Sequence, residues 1–242
     1  MQSFPLNLKR VVFVATLLMA CLAASAAFGA TTYSNIDQMS GWTSCSVCAG
    51  AGGDGSSASH SMSHVSSPSM DGKSAKFFLG GSTPYSNALW WKQLGHNDGA
   101  SHFVYDLYYY IKNPTASQAL EFDVNQSRNG KKFIFGTECS FKSTHTWQVY
   151  DPYNRKWRST SIACNVPKAY TWHHVVLEFY RSSSPSTKFV SVTINGHKYY
   201  FNRSYAPRSS SAREINVAFQ MDGNRSQTDY TVWLDKVKLT YW

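Results

Sequence analysis

The feature that most constrains this chain is the rhythm of its turns. From Gly72 onward, short runs of alternating apolar and polar residues are punctuated by Gly, Pro, Asn and Asp. Ala75–Leu79 ends at Gly80-Gly81-Ser82, Ala88–Leu94 at Gly95-His96-Asn97-Asp98-Gly99, and His102–Ile111 at Asn113-Pro114. Gln118–Asn125 leads through Asn129-Gly130 to Lys131–Phe135, and Thr146–Tyr150 runs into Asp151-Pro152. His173–Arg181, Phe189–Ile194, a turn at Asn195-Gly196, His197–Phe201, Ile215–Asp222 and Tyr230–Tyr241 complete the series. Thr31–Trp42 reads as a first strand. Asn-Gly between alternating runs signals a hairpin, because both residues of the turn take positive φ. No segment sustains a 3.6-residue apolar period long enough for a major helix, and no fixed-period repeat occurs. Such a chain must pair its strands and bury one face of each sheet. The expectation is all-β: an antiparallel jelly-roll β-sandwich of two sheets.

Residues 1–27 read as a signal peptide. Lys9 and Arg10 precede an apolar run from Val11 to Ala27, and Ser25-Ala26-Ala27 offers small residues to a signal peptidase. Leu18-Met19-Ala20-Cys21 resembles a bacterial lipobox with a lipidated Cys21. The chain stays apolar after Cys21, which favours cleavage after Ala27. The leader points to a bacterial protein that is secreted, periplasmic or on the cell surface. No later stretch is long enough to span a bilayer.

The remaining 28–242, about 215 residues, fit one sandwich domain. Within it, 45–72 is a long Gly/Ser-rich N-terminal loop whose composition buries too little to order itself. His60 and His64 would share a helical face and could bind metal there, but Ser and Gly around them argue for a mobile loop. Without Lys9 and Arg10 the formal charge falls from +9 to +7. That favours a polysaccharide or cell-surface glycan of anionic character. The basic residues are scattered, which argues against nucleic acid. The oligomeric state stays open. Loss of Cys21 leaves Cys45, Cys48, Cys139 and Cys164, an even number that suggests two disulfides in an exported chain. Cys45–Cys48 and Cys139–Cys164 keep both loops local, although three pairings are open. A four-cysteine zinc site is disfavoured, since Cys139 and Cys164 lack the short structural-zinc spacing.

The main candidate site is Leu120-Glu121-Phe122-Asp123-Val124-Asn125. On a strand, Leu120, Phe122 and Val124 enter the core while Glu121, Asp123 and Asn125 form a polar ridge. The plain alternative is a solvated face. The same alternation turns Asp106, Tyr108 and Tyr110 outward, with His174, Glu178 and Tyr180, and Asn216, Gln220 and Asp222. Rings stack on sugar faces, and carboxylates and amides bond hydroxyls. Trp90 and Trp91 are adjacent, so one ring must leave the core. These residues imply glycan recognition at Trp90, Trp91, Asp106, Tyr108, Tyr110, Glu121, Asp123, Asn125 and Gln220.

The overall pattern resembles the concanavalin A-like lectin/glucanase superfamily over nearly all of 28–242. Trp172-His173-His174-Val175, followed by Val192-Thr193-Ile194-Asn195-Gly196, resembles its laminin-G-like members. Glu121-Phe122-Asp123 resembles the metal-holding run of legume-type lectins. That resemblance implies at most one calcium, at Asp123 and Asn125, because the next strand lacks the downstream Asp and His. The same run resembles half of the family 16 glycoside hydrolase motif. It implies Glu121 as nucleophile and Asp123 as helper, but Asn125 and Gln126 replace the acid/base. Glu178 or Glu138 could substitute only within about 5–5.5 Å of Glu121. A polysaccharide lyase would draw on Tyr108, His174 and Gln220. The favoured expectation is a lectin-like, carbohydrate-binding protein. A glycan-cleaving enzyme and a structural or adhesive surface domain stand as alternatives. A second carboxylate opposite Glu121 would favour hydrolysis; its absence would favour binding.

Overall fold

The computed structural model describes residues 29–46, 58–81, 83–226 and 228–242. The leader, Cys21 and the Cys48 half of the expected Cys45–Cys48 bridge lie outside the described residues. The strands in chain order are β1 (Thr31–Tyr33), β2 (Thr43–Ser46), β3 (Ser59–Val65), β4 (Ser74–Gly80), β5 (Asn87–Gln93) and β6 (His102–Ile111). They continue with β7 (Ser117–Arg128), β8 (Lys131–Ser140), β9 (Thr146–Asp151), β10 (Lys156–Ala163) and β11 (Trp172–Arg181). The last are β12 (Thr187–Ile194), β13 (His197–Tyr205), β14 (Arg208–Ser209), β15 (Glu214–Gly223) and β16 (Tyr230–Tyr241).

They form two antiparallel sheets, as expected of a jelly-roll sandwich. The front sheet runs β10-β9-β8-β7-β15-β5-β2, with β14 on β8; the back sheet runs β13-β12-β11-β6-β16-β4-β3, with β1 on β16. Alternation places one side chain of every two between them. Leu120, Phe122 and Val124 are fully buried there, as are Val175, Leu177 and Phe179 of β11 within 1%. Rings from opposite sheets interlock: Phe77 lies 5.1 Å from Trp90 and 5.0 Å from Phe219, and Phe135 lies 5.2 Å from Phe179. Truncating one such buried Phe to Ala would cost about 3–5 kcal/mol. Among the described residues no helix is long and apolar enough to cross a membrane.

Both Asn-Gly hairpins form, with positive φ at Asn129 and Gly130 and at Asn195 and Gly196. The Cys139–Cys164 bridge also forms, with Cα atoms 5.5 Å apart, and ties β8 to the segment after β10. Two expectations are corrected, and two strands are added. Thr31–Trp42 is not one strand, because a 3-10 turn at Ile36–Gln38 separates β1 from β2. The expected 45–72 loop contains the end of β2 and all of strand β3, which carries His60 and His64 and pairs with β4; its residues 47–57 lie outside the described residues. Backbone hydrogen bonds to a neighbouring strand order β3 despite its small, polar side chains. The ring nitrogens of His60 and His64 bond the carbonyls of Ala58 and Asp37. Finally, Lys156–Ala163 and Arg208–Ser209 are strands that their weak alternation concealed.

Candidate functional site

The outward face of the front sheet holds a cavity of about 470 Å³. Ladder register arranges its lining in rows across the strands. One row is Leu89, Gln220, Glu121, Glu138 and Gln148. The next is Trp91, Ala218, Asp123 and Gly136; the third is Gln93, Asn216, Asn125 and Ile134. Tyr150 and Trp157, paired across β9 and β10, stand at the far side. The middle row therefore has small residues at its centre and rings at its ends, which makes a groove. Gly136 is needed for that shape: a Cβ there would meet the Tyr150 Cβ at 3.0 Å and the Trp157 ring at 3.5 Å.

The polar ridge is in place but is not a solvated face. Glu121, Asp123 and Asn125 line the cavity floor at 5%, 9% and 8% exposure. The Asn125 amide donates to Asn216 Oδ1 at 3.0 Å, and the Thr137 N–H donates to Asp123 Oδ1 at 3.2 Å. The Gln220 amide donates to both Glu121 and Asp222, and the Gln148 amide donates to Glu138. Glu121, Glu138 and Asp222 each bring an oxygen within 4.8 Å of the others. Of these three, only Glu121 lines the cavity.

None of the four acids forms an ion pair with a Lys or Arg among the described residues. Burial therefore dominates their titration. It lifts Glu121 well above the usual carboxylate range, with Asp222, Asp123 and Glu138 adding repulsion. It lifts Glu138 to about 8 and Asp123 and Asp222 to about 7. The repulsion between Glu121 and Asp222 adds to the effect of burial on Glu121, the most strongly raised of the group. Burial thus pushes all four acids upward, and they are bonded through amides and backbone N–H groups rather than cations.

The structure sorts the expected site residues. Trp91, Glu121, Asp123, Asn125 and Gln220 line the groove together. Trp90 does not: it is the ring that stays in the core, at 1% exposure. Asp106, Tyr108 and Tyr110 face outward as expected, but from β6 of the back sheet. Glu178 also lies on the back sheet, bonded to Lys198 at 2.8 Å and Ser191 at 3.0 Å, and so cannot act opposite Glu121. His174 bonds Asp106 at 2.8 Å and stacks on Tyr108, so the lyase trio with Gln220 is divided between sheets. Strand alternation tells which residues share a face, not which sheet receives the strand. Tyr150, Trp157, Lys132, Arg208 and Glu214 complete the lining and were not singled out in the sequence. For the calcium expectation, Asp123 and Asn125 provide two side chains, whereas calcium takes 6–8 oxygens. The denser acid group is Glu121, Glu138 and Asp222.

No family model and no curated protein matches this sequence. Solved structures do. Cellulose induced protein, Cip1, aligns with TM-score 0.52 and 10% identity over 86% of this chain and 96% of that one. A carbohydrate esterase from the Shiga toxin-encoding bacteriophage phi24B aligns with TM-score 0.50 and 17% identity, covering 88% of this chain and 99% of that one. A carbohydrate-binding module of the β-sandwich superfamily aligns with TM-score 0.46 and 8% identity; 83% of this chain spans 57% of that one. At these identities the first two likenesses define the fold alone, a jelly-roll β-sandwich.

Proposed function

We propose that this chain is an exported carbohydrate-binding protein that takes a polysaccharide or cell-surface glycan into the front-sheet groove. The observation that carries this reading is the groove's middle row, with rings at both ends and small residues between. Trp91 on one wall and Tyr150 with Trp157 on the other offer stacking to apolar sugar faces. Glu121, Asp123, Asn125 and Asn216 offer the floor's bonds to hydroxyls. A ligand with apolar faces and a dense hydroxyl edge uses both. The carbohydrate esterase of the same fold supports the reading, and the Cys139–Cys164 bridge accords with export to an oxidising compartment. The test is a glycan array run beside a reducing-sugar release assay. Binding without release is expected; an array with no bound glycan would overturn the reading.

A second reading, glycan hydrolysis, is favoured by Glu138, the carboxylate directly opposite Glu121. In that reading Glu121 and Glu138, with oxygens within 4.8 Å of one another, are the carboxyl pair, and the one that acts as nucleophile must first lose its proton. Binding is preferred because Glu138 and Asp222 stand outside the cavity lining while Glu121 and Asp123 face it. Sugar release by the wild type, abolished in Glu121→Gln, would reverse that preference. Calcium at the floor is a separate proposal. Binding lost in a chelator and restored by calcium would support it, and binding unchanged by the chelator would remove it.

A further inference from the structure

We infer that the glycan is anionic, and that Arg208 and Arg155 hold its carboxylate or sulfate group at one end of the groove. This inference rests on the glycan-binding reading above and adds a substrate class to it. A second cavity of about 570 Å³ adjoins the groove and shares Lys132 and Arg208 with it as walls. Arg155, Tyr153, Ser209 and Ser210 are among its other walls. Lys132 is already occupied, 3.0 Å from Glu214. Arg155 and Arg208 have no acidic partner among the described residues.

Both arginines are carried on fixed backbone. Arg208 lies in β14, paired with Lys132 of β8. Arg155 sits in the β9–β10 turn, where Asp151 accepts the Asn154 backbone N–H at 3.1 Å and its side-chain amide at 2.9 Å. The Asp151 charge is answered by Arg158 at 3.0 Å, not by Arg155. The field of both guanidiniums reaches the groove wall: burial raises the Tyr150 phenol, and Arg208 and then Arg155 pull it back. A guanidinium fork matches a carboxylate or sulfate with paired charge-assisted bonds. The Tyr153 ring, 69% exposed, stands beside them as a surface for a sugar face. Two unpaired cations, a free ring and hydroxyls in one hollow, continuous with a groove, form a complement to an acidic sugar unit.

The experiment titrates the exported protein with polygalacturonate, dextran sulfate, neutral dextran and the neutral glycans bound on the array. The two polyanions separate a carboxylate source from a sulfate source. At least one polyanion is expected to bind about tenfold more tightly than any neutral glycan. Arg155→Gln with Arg208→Gln should erase that preference at unchanged thermal midpoint. Lys112→Gln with Lys188→Gln removes equal charge elsewhere and should keep it. The inference is overturned if the arginine variant retains the preference, if the lysine control loses as much, or if single-stranded oligo-dT binds as tightly at the same arginines. Neutral glycans bound as tightly as polyanions would overturn it while leaving the groove reading intact. No binding to any glycan would overturn that reading too.

Discussion

The outward faces of the two sheets are built from the same alternating pattern, yet the acids at the centre of each are held differently. On the back sheet the outward acids Asp106 and Glu178 are closed onto basic side chains. Asp106 lies 2.8 Å from His174 and 3.0 Å from Lys238, and Glu178 lies 2.8 Å from Lys198. Tyr108 is stacked on His174 with ring centroids 4.2 Å apart. On the front sheet, Glu121, Asp123 and Glu138 are more deeply buried and are held by amides and backbone N–H groups. A polar strand face is therefore not by itself a sign of function. The distinction lies in whether its groups already satisfy one another or stand desolvated around open space.

The largest effect should come from the link that only the front sheet carries among the described residues. Replacing Cys139 and Cys164 together by Ser should lower stability by about 3 kcal/mol through the freed unfolded chain. Chemical denaturation checks this, and an unchanged midpoint would show that the front edge needs no staple.

Next is the groove wall. Trp91→Ala and Trp157→Ala should each weaken glycan binding by at least about tenfold, as for loss of a buried aromatic anchor. Tyr108→Ala, on the back face, should leave affinity within about twofold. Calorimetry on all three compares the faces directly; equal losses would erase the contrast.

A smaller contrast is in pH dependence. The floor acids have folded pKa values above their unfolded ones, so folding binds protons. Their contribution to stability is full below the ordinary carboxylate range, near 4, and is lost as pH rises toward about 7 to 8. Glu138→Gln should flatten the fall in thermal midpoint between pH 5 and 8. Glu178 behaves oppositely, because the Lys198 hydrogen bond holds it below its usual value, so Glu178→Gln should leave that fall in place. The smallest effect is Asp106→Asn, a partly exposed group whose contacts to His174 and Lys238 are worth no more than about 1 kcal/mol, with no loss of glycan binding.

Much of this was legible in the sequence. The Asn129-Gly130 turn fixes the β7–β8 register, since a two-residue hairpin leaves no slack. Stepping seven residues back from Arg128 and seven forward from Lys131 reaches Glu121 and Glu138. Their facing position could thus have been read directly, had the strand been carried past Gly136. The division of Trp90 from Trp91 was equally legible. Sheet membership was not: β6 and β7 are consecutive strands separated by a short turn, yet enter different sheets. That choice depends on long-range pairing, which alternation does not encode. Trp157 and Arg208 were missed because their strands lie at the front sheet's edges, where both faces are polar.

The central claim, that the front groove is the ligand site, is tested most directly by Asp123→Asn. The substitution keeps shape and removes the ionisable group at the centre of the floor. Calorimetric titration with the tightest array glycan, beside Asp106→Asn as the back-face counterpart, gives the answer at matched thermal midpoints. The account predicts at least about a tenfold loss for Asp123→Asn and none for Asp106→Asn. Undiminished binding by Asp123→Asn, or loss confined to Asp106→Asn, would contradict it.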